Sequence, residues 1–170
     1  IEAEVLRQAE RISGIAVARG EPNPFARTAG YFGITQRIVR AFFRVVFGLR
    51  ISGREHLRYR ENYIFASNHL SYGDPLVVGC ALDRELWFLA KKELFRNGLF
   101  ARLISAYHAI PVDREEIERK TMKRLFGLLG DGRSILMFPE GTRSRTGKLG
   151  DLKMGLGFVA AKSRVSIVPV

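Results

Sequence analysis

The sequence predicts an α/β fold: a mixed, largely parallel sheet flanked by helices, with an N-terminal amphipathic helical segment. Three observations predict it. Short apolar runs such as Tyr63-Ile64-Phe65-Ala66 alternate with segments of helical period. Three polar clusters rich in candidate functional groups each follow one of these runs, where α/β proteins place their sites. The 170 residues are 46% hydrophobic and 26% charged, which suits one domain with a buried core and excludes disordered, collagenous and coiled-coil classes.

Taken in order, residues 1–20 carry a helical pattern, with Val5, Leu6, Ala9, Ile12 and Ile15 or Ala16 on one side. Gly20-Glu21-Pro22-Asn23-Pro24 is a linker or turn signal, and residues 25–33 fit no single pattern. Over residues 34–49, Arg37, Arg40 and Arg44 fall on one helical stripe, while Ile38, Val39, Phe42, Phe43, Val45, Val46 and Leu49 cover the other side. A basic stripe beside an aromatic and aliphatic face suits a helix lying in a lipid interface. It equally suits a helix packed on the core with its arginines in water, and the two are compatible at a domain edge. Residues 49–53 read as a short strand and 63–67 as a buried one. A helix over 75–82 has Asp74 placed to cap it and Pro75 at its first position. Then follow a strand at 86–89, a helix at 92–105, a proline-interrupted strand at 109–112 and a helix at 115–129. A strand at 134–138, a helix at 155–163 and a strand at 166–170 complete the series. This divides the chain into a helical extension, 1–33, and a folded domain, 34–170.

The chain opens on Ile1 without a signal-peptide pattern, and its last residues read as a strand in mid-flow, so the sequence is expected to be part of a longer polypeptide. No apolar run approaches the roughly 18 residues of a spanning helix. Lys and Arg number 28 against 17 Asp and Glu, a net charge of +11. That excess implies an anionic partner: nucleic acid, a membrane surface, or a phosphorylated or CoA-type substrate. Nucleic acid is disfavoured because no RNP-type string, zinc finger or dense aromatic-basic interleaving occurs outside 34–49. Cys80 reads as a small buried apolar residue. No metal site is expected: His56, His69 and His108 are scattered, and there is no helical His-Glu-x-x-His or Cys pair.

The first cluster is Ser67-Asn68-His69-Leu70-Ser71-Tyr72-Gly73-Asp74-Pro75. His69 is a candidate general base, since imidazole titrates near neutrality. Asp74 is able to orient it through the other ring nitrogen, to cap the following helix, or both. The alternative is a structural histidine beside a plain cap. No Gly-x-Ser-x-Gly elbow supplies a nucleophile, so such a pair suits direct attack by a substrate hydroxyl on an activated acyl group. The second cluster is Phe138-Pro139-Glu140-Gly141-Thr142-Arg143-Ser144-Arg145, where Gly141 permits a sharp turn and Arg143 offers a fork suited to phosphate. The third is Ala109-Ile110-Pro111-Val112-Asp113-Arg114, with Arg114 a further phosphate candidate. Lys91 and Lys92 add cations after a strand. Each has a plainer reading as a solvated turn or helix start.

Asn68-His69-x4-Asp74 followed by Phe138-Pro139-Glu140-Gly141-Thr142-Arg143 resembles the glycerolipid acyltransferase family, of the bacterial lysophosphatidate (1-acyl-sn-glycerol-3-phosphate) acyltransferase type. The likeness runs from about Ile34 to Val170 and includes Ala90-Lys91-Lys92-Glu93-Leu94, Ile110-Pro111-Val112-Asp113-Arg114 and Ile167-Val168-Pro169-Val170. It implies that His69 is the general base and Asp74 its partner. Arg114, Glu140, Gly141, Thr142 and Arg143 would hold the acceptor's phosphate and glycerol, with help from Lys92. The acyl donor would be acyl-CoA or acyl-acyl carrier protein, with no cofactor. The enzyme would act as a peripheral or monotopic protein at the cytoplasmic face of the cell membrane, held on anionic lipid by Arg37, Arg40, Phe42, Phe43 and Arg44. Other acceptors (glycerol 3-phosphate or a larger lysophospholipid) and a non-catalytic lipid-binding role are the alternatives. The family's second block commonly has glycine where this sequence has His108, which is expected to reshape the acceptor pocket. The family's domain also normally continues past the last block, so the domain here is expected to be incomplete.

Overall fold

In the computed structural model, which describes residues 30–58, 61–82, 84–96, 98–112 and 119–170, helices and strands alternate as the apolar runs predict. Helix α1 (Gly30–Phe47) is followed by β1 (Ile64–Ala66), α2 (Asp74–Ala81), β2 (Leu86–Lys91), α3 (Gly98–Ala106) and β3 (Ala109–Val112). Then come α4 (Arg119–Gly130), β4 (Ser134–Met137), α5 (Gly155–Ser163) and β5 (Ile167–Pro169). The helix expected over 1–20 and the linker after it lie outside the described residues.

The strands form one sheet in the order β3-β2-β4-β1-β5. Every pairing is parallel, so the sheet expected to be mixed but largely parallel is wholly parallel among the described residues. Strands in such a sheet are buried on both faces, which is why they read as apolar runs. On one face Phe65, Phe88 and Leu136 pack with Val78 of α2 and Ile104 of α3. On the other, Ile64, Ile110 and Ile135 pack with Leu125, Leu128 and Leu129 of α4 and Val159 of α5. Neighbouring residues along a strand thus serve opposite cores.

Two predicted elements differ. Residues 49–53 form no strand; Gly53, at φ 82, turns the chain into a short 3-10 turn, Arg54–His56. The helix expected over 92–105 is divided into a 3-10 turn, Lys92–Arg96, and α3.

Helix α1 packs on α2 with its polar side. Buried Gln36 donates from Nε2 to the carbonyls of Gly79 (2.9 Å) and Arg84 (3.3 Å). Arg40 donates to the carbonyls of Cys80 (2.6 Å) and Leu82 (3.4 Å). These carbonyls lie at the C-terminus of α2, where helix geometry leaves acceptors unpaired and favours a cation. Phe43 is half-buried on the same side, whereas Ile34, Ile38, Phe42 and Val45 point outward and are exposed. Arg37 and Arg44 are exposed on the flank between. The expected stripe of three arginines is therefore divided: Arg40 and Phe43 face the domain, not the outer surface.

Strands β1 and β4 are neighbours, yet the chain leaves them in opposite directions. From β1 it crosses one face through α2 to β2; from β4 it crosses the other through α5 to β5. Their C-terminal ends thus flank a crevice of the kind in which open α/β sheets bind ligands.

Candidate active site

The loop after β1 carries His69, which is buried. Its Nδ1 lies 2.8 Å from Oδ2 of Asp74. The same oxygen accepts the backbone N–H groups of Leu70 (2.7 Å) and Ser71 (2.8 Å). Asp74 is the first residue of α2, and its Oδ2 turns back over the loop to His69, Leu70 and Ser71. Of the two roles open to Asp74, the carboxylate is therefore committed to the imidazole and its loop. With Nδ1 held by a carboxylate, Nε2 is the nitrogen left to accept a proton. The ring is steadied by stacking on Phe138, with centroids 4.0 Å apart and planes inclined 19°.

The loop after β4 holds the His69 backbone in place. Glu140, only 6% exposed, accepts the His69 N–H at Oε1 (2.9 Å) and the Gly150 N–H at Oε2 (3.0 Å). The Ser144 N–H donates to the His69 carbonyl (2.7 Å), and Ser144 Oγ donates to the Lys148 carbonyl (2.7 Å). Gly141, at φ 71, makes the left-handed turn between Glu140 and Thr142 that glycine adopts without strain. Thr142 is exposed on this turn. Arg143 lies over the ring of Tyr72, its guanidinium carbon 3.7 Å from the centroid.

His69, Tyr72 and Arg143 line one cavity of about 290 Å³, near the lower end of the ~300–1,000 Å³ usual for ligand pockets. Its apolar wall includes Leu76, Phe88, Leu94, Phe100, Ile104 and Phe138. Lys91 lines it as well, whereas Lys92, in the following turn, is exposed and does not. Arg114 lies outside the described residues. The pair inferred from the sequence, His69 and Asp74, is brought together, and Arg143 shares its cavity. Glu140 is turned to the backbone instead.

Sequence reasoning missed the roles of Tyr72 and Phe138 as ring partners, although both stand inside the quoted clusters. It also expected His108 to reshape the pocket. His108 instead stacks on Trp87 (centroids 4.6 Å apart), on the side of the sheet covered by α4 and α5, and does not line the cavity. Its φ of 62 explains why a glycine suits this position. Cys80 is buried, and that burial pushes its thiol pKa up, away from nucleophilic use. Among the described residues, no three His, Cys, Asp or Glu side chains come together to hold a metal ion.

Known proteins share this arrangement of sequence. The acyltransferase family model matches residues 48–170. A 1-acyl-sn-glycerol-3-phosphate acyltransferase of Streptococcus pneumoniae is 36% identical over 112 residues, 65% of this chain and 41% of the relative. One of Bacillus subtilis is 31% identical over 123 residues, 72% of this chain and 61% of the relative. The crystal structure of the 1-acyl-sn-glycerophosphate (LPA) acyltransferase PlsC from Thermotoga maritima superposes with a TM-score of 0.61 at 22% identity. It covers 79% of this chain and 55% of that one, a likeness of fold. The chain thus spans between about two fifths and three fifths of these two curated relatives. Since the family match takes in both loops that meet at His69 and most of the chain besides, the chain belongs to the acyltransferase family.

Proposed function

We propose that this chain is the catalytic part of an O-acyltransferase that moves a fatty acyl group from acyl-CoA or acyl-acyl carrier protein to the free hydroxyl of lysophosphatidate, giving phosphatidate. One observation carries the reading: His69, held by Asp74 at 2.8 Å, lines the same largely apolar cavity as Arg143. His69 Nε2 takes the proton of the acceptor hydroxyl as its oxygen attacks the thioester carbonyl carbon. The C–S bond then breaks, and the imidazolium returns the proton to the leaving sulfur, releasing a free thiol. Asp74 holds Nδ1–H and stabilises the transient imidazolium. The phosphate is gripped by Arg143, with Gly141 and Thr142 beside it, and by Arg114 and Lys92 as the family resemblance implies. The apolar wall receives an acyl chain.

The names of the Streptococcus and Bacillus relatives support lysophosphatidate as acceptor. Residues 34–170 form the acyltransferase domain on this reading, and 1–33 an N-terminal extension. No helix among the described residues is long and apolar enough to cross a membrane. Instead, the outward side of α1 lies in the headgroup region of the cytoplasmic leaflet, with Ile34, Ile38, Phe42 and Val45 toward the acyl chains and Arg37 and Arg44 on anionic lipid.

A thiol-release assay with acyl-CoA against lysophosphatidate, larger lysophospholipids and glycerol 3-phosphate tests the reaction. Lysophosphatidate is expected to be the best acceptor, and His69→Ala to lower the rate at least ~100-fold, as loss of a general base does. Thiol release equal in wild type and His69→Ala would overturn the mechanism; preference for glycerol 3-phosphate would reassign the acceptor.

A further inference from the structure

We infer that Lys153 is a phosphate-binding residue of this site, a second cation set beside Arg143. The inference rests on the acyl-transfer reading only for the origin of the phosphate. Its basis is the turn at Gly141. A Cβ added to Gly141 would lie 3.1 Å from each of Cδ, Cε and Nζ of Lys153. The lysine stem and its ammonium therefore occupy the space a side chain at that position would take. The main chain of Lys153 is anchored beside this turn, because its N–H donates to the carbonyl of Pro139 (2.9 Å).

The turn under the ammonium joins the working parts of the site. On one side is Glu140, bonded to the His69 N–H; on the other are Thr142 and Arg143, the latter lining the cavity with His69. Both Glu140 oxygens already accept backbone N–H groups. No carboxylate forms an ion pair with Lys153 among the described residues. A positive charge laid over a left-handed turn, without an ion-pair partner among the described residues and two residues from an arginine fork, complements a phosphate. The fork supplies planar bidentate contact, and the ammonium supplies a compact point charge. Sequence spacing hid the residue, because it stands ten positions beyond Arg143 and is returned to the turn by the intervening loop.

The phosphate belongs either to the acceptor or to the CoA of the donor, and kinetics separates the two. Lys153→Met keeps the unbranched stem over Gly141 and removes the charge, while Lys153→Arg restores it. Lys153→Met is expected to raise the KM of the phosphate-bearing substrate about 10-fold, the loss of one charge-assisted hydrogen bond, with kcat held within about 2-fold. Lys153→Arg is expected to recover most of the loss. A rise seen with lysophosphatidate but not monoacylglycerol assigns the acceptor; a rise seen with acyl-CoA but not acyl-pantetheine assigns the donor. Calorimetric titration with glycerol 3-phosphate and with CoA reads the same site without turnover. Wild-type protein that binds one of these probes more tightly than Lys153→Met but transfers no acyl group would sink the acyl-transfer reading and leave Lys153 in place. Unchanged KM values together with equal binding of both probes by wild type and Lys153→Met would overturn the inference.

Discussion

At Glu140 a buried carboxylate has both oxygens taken by backbone N–H groups, those of His69 and Gly150. The family resemblance gives this residue to the acceptor; its contacts make it a brace between the two loops of the site. In Glu140→Gln the side chain keeps one carbonyl oxygen and turns an NH₂ donor toward one of the two N–H groups. A buried donor left unpaired costs about 1–3 kcal/mol, and each kcal/mol lowers Tm by about 2–4 °C in a chain of this size. Glu140→Gln is therefore expected to melt several degrees lower and to lose kcat as His69 shifts. Thermal unfolding followed by circular dichroism checks it, and a variant with wild-type Tm would remove the brace. The His69–Asp74 pair was legible in the sequence because its members are five positions apart, one on the loop and one at the start of the helix that follows it. The bond from Glu140 to His69 was not: it spans 71 positions and exists only because β1 and β4 are neighbours.

Helix α1 sets the limit of periodicity at the scale of an element. The 3.6-residue repeat separates two sides of 34–49 but does not say which side faces inward. That choice is made by the C-terminal carbonyls of α2, which draw in Gln36 and Arg40 and leave the apolar stripe outside. Val45 is 85% exposed, so replacing it removes almost no buried area. Surface changes of this kind shift stability by only about 0.5 kcal/mol or less. The triple variant Ile38→Ser, Phe42→Ser, Val45→Ser is thus expected to stay within about 6 °C of the wild-type Tm while sedimenting far less with anionic vesicles. Arg40→Leu is expected to do the reverse, losing stability by about 1.5–3 kcal/mol as charge-assisted bonds to carbonyls disappear, while vesicle binding persists. Vesicle binding retained by the triple variant would deny α1 its lipid contact.

Across the whole molecule, strands legible as buried runs gave a parallel sheet, but their order, β3-β2-β4-β1-β5, rests on contacts distant in sequence. That order separates two histidines. His69 sits beyond the C-terminal end of β1, whereas His108 sits just before β3, stacked on Trp87 with its Nε2 3.5 Å from Oε2 of Glu85. Burial lowers the His108 pKa; Glu85 opposes the shift, and Arg133, whose guanidinium lies over the Trp87 ring, adds to it. A folded-state imidazole pKa below its unfolded value means that the unfolded chain binds the extra proton first. The contribution of His108 to stability is therefore present above the ordinary imidazole pKa of about 6.5 and lost as pH falls through the lowered folded value. His108→Asn removes the titration and still tolerates the left-handed backbone that φ 62 requires. Between about pH 7.5 and about pH 5.5, calorimetric Tm is expected to fall more steeply for wild type than for His108→Asn. Parallel curves would show that another group carries the acid sensitivity. Because the His108 ring lies off the cavity, the pH dependence of thiol release is expected to be the same in both proteins.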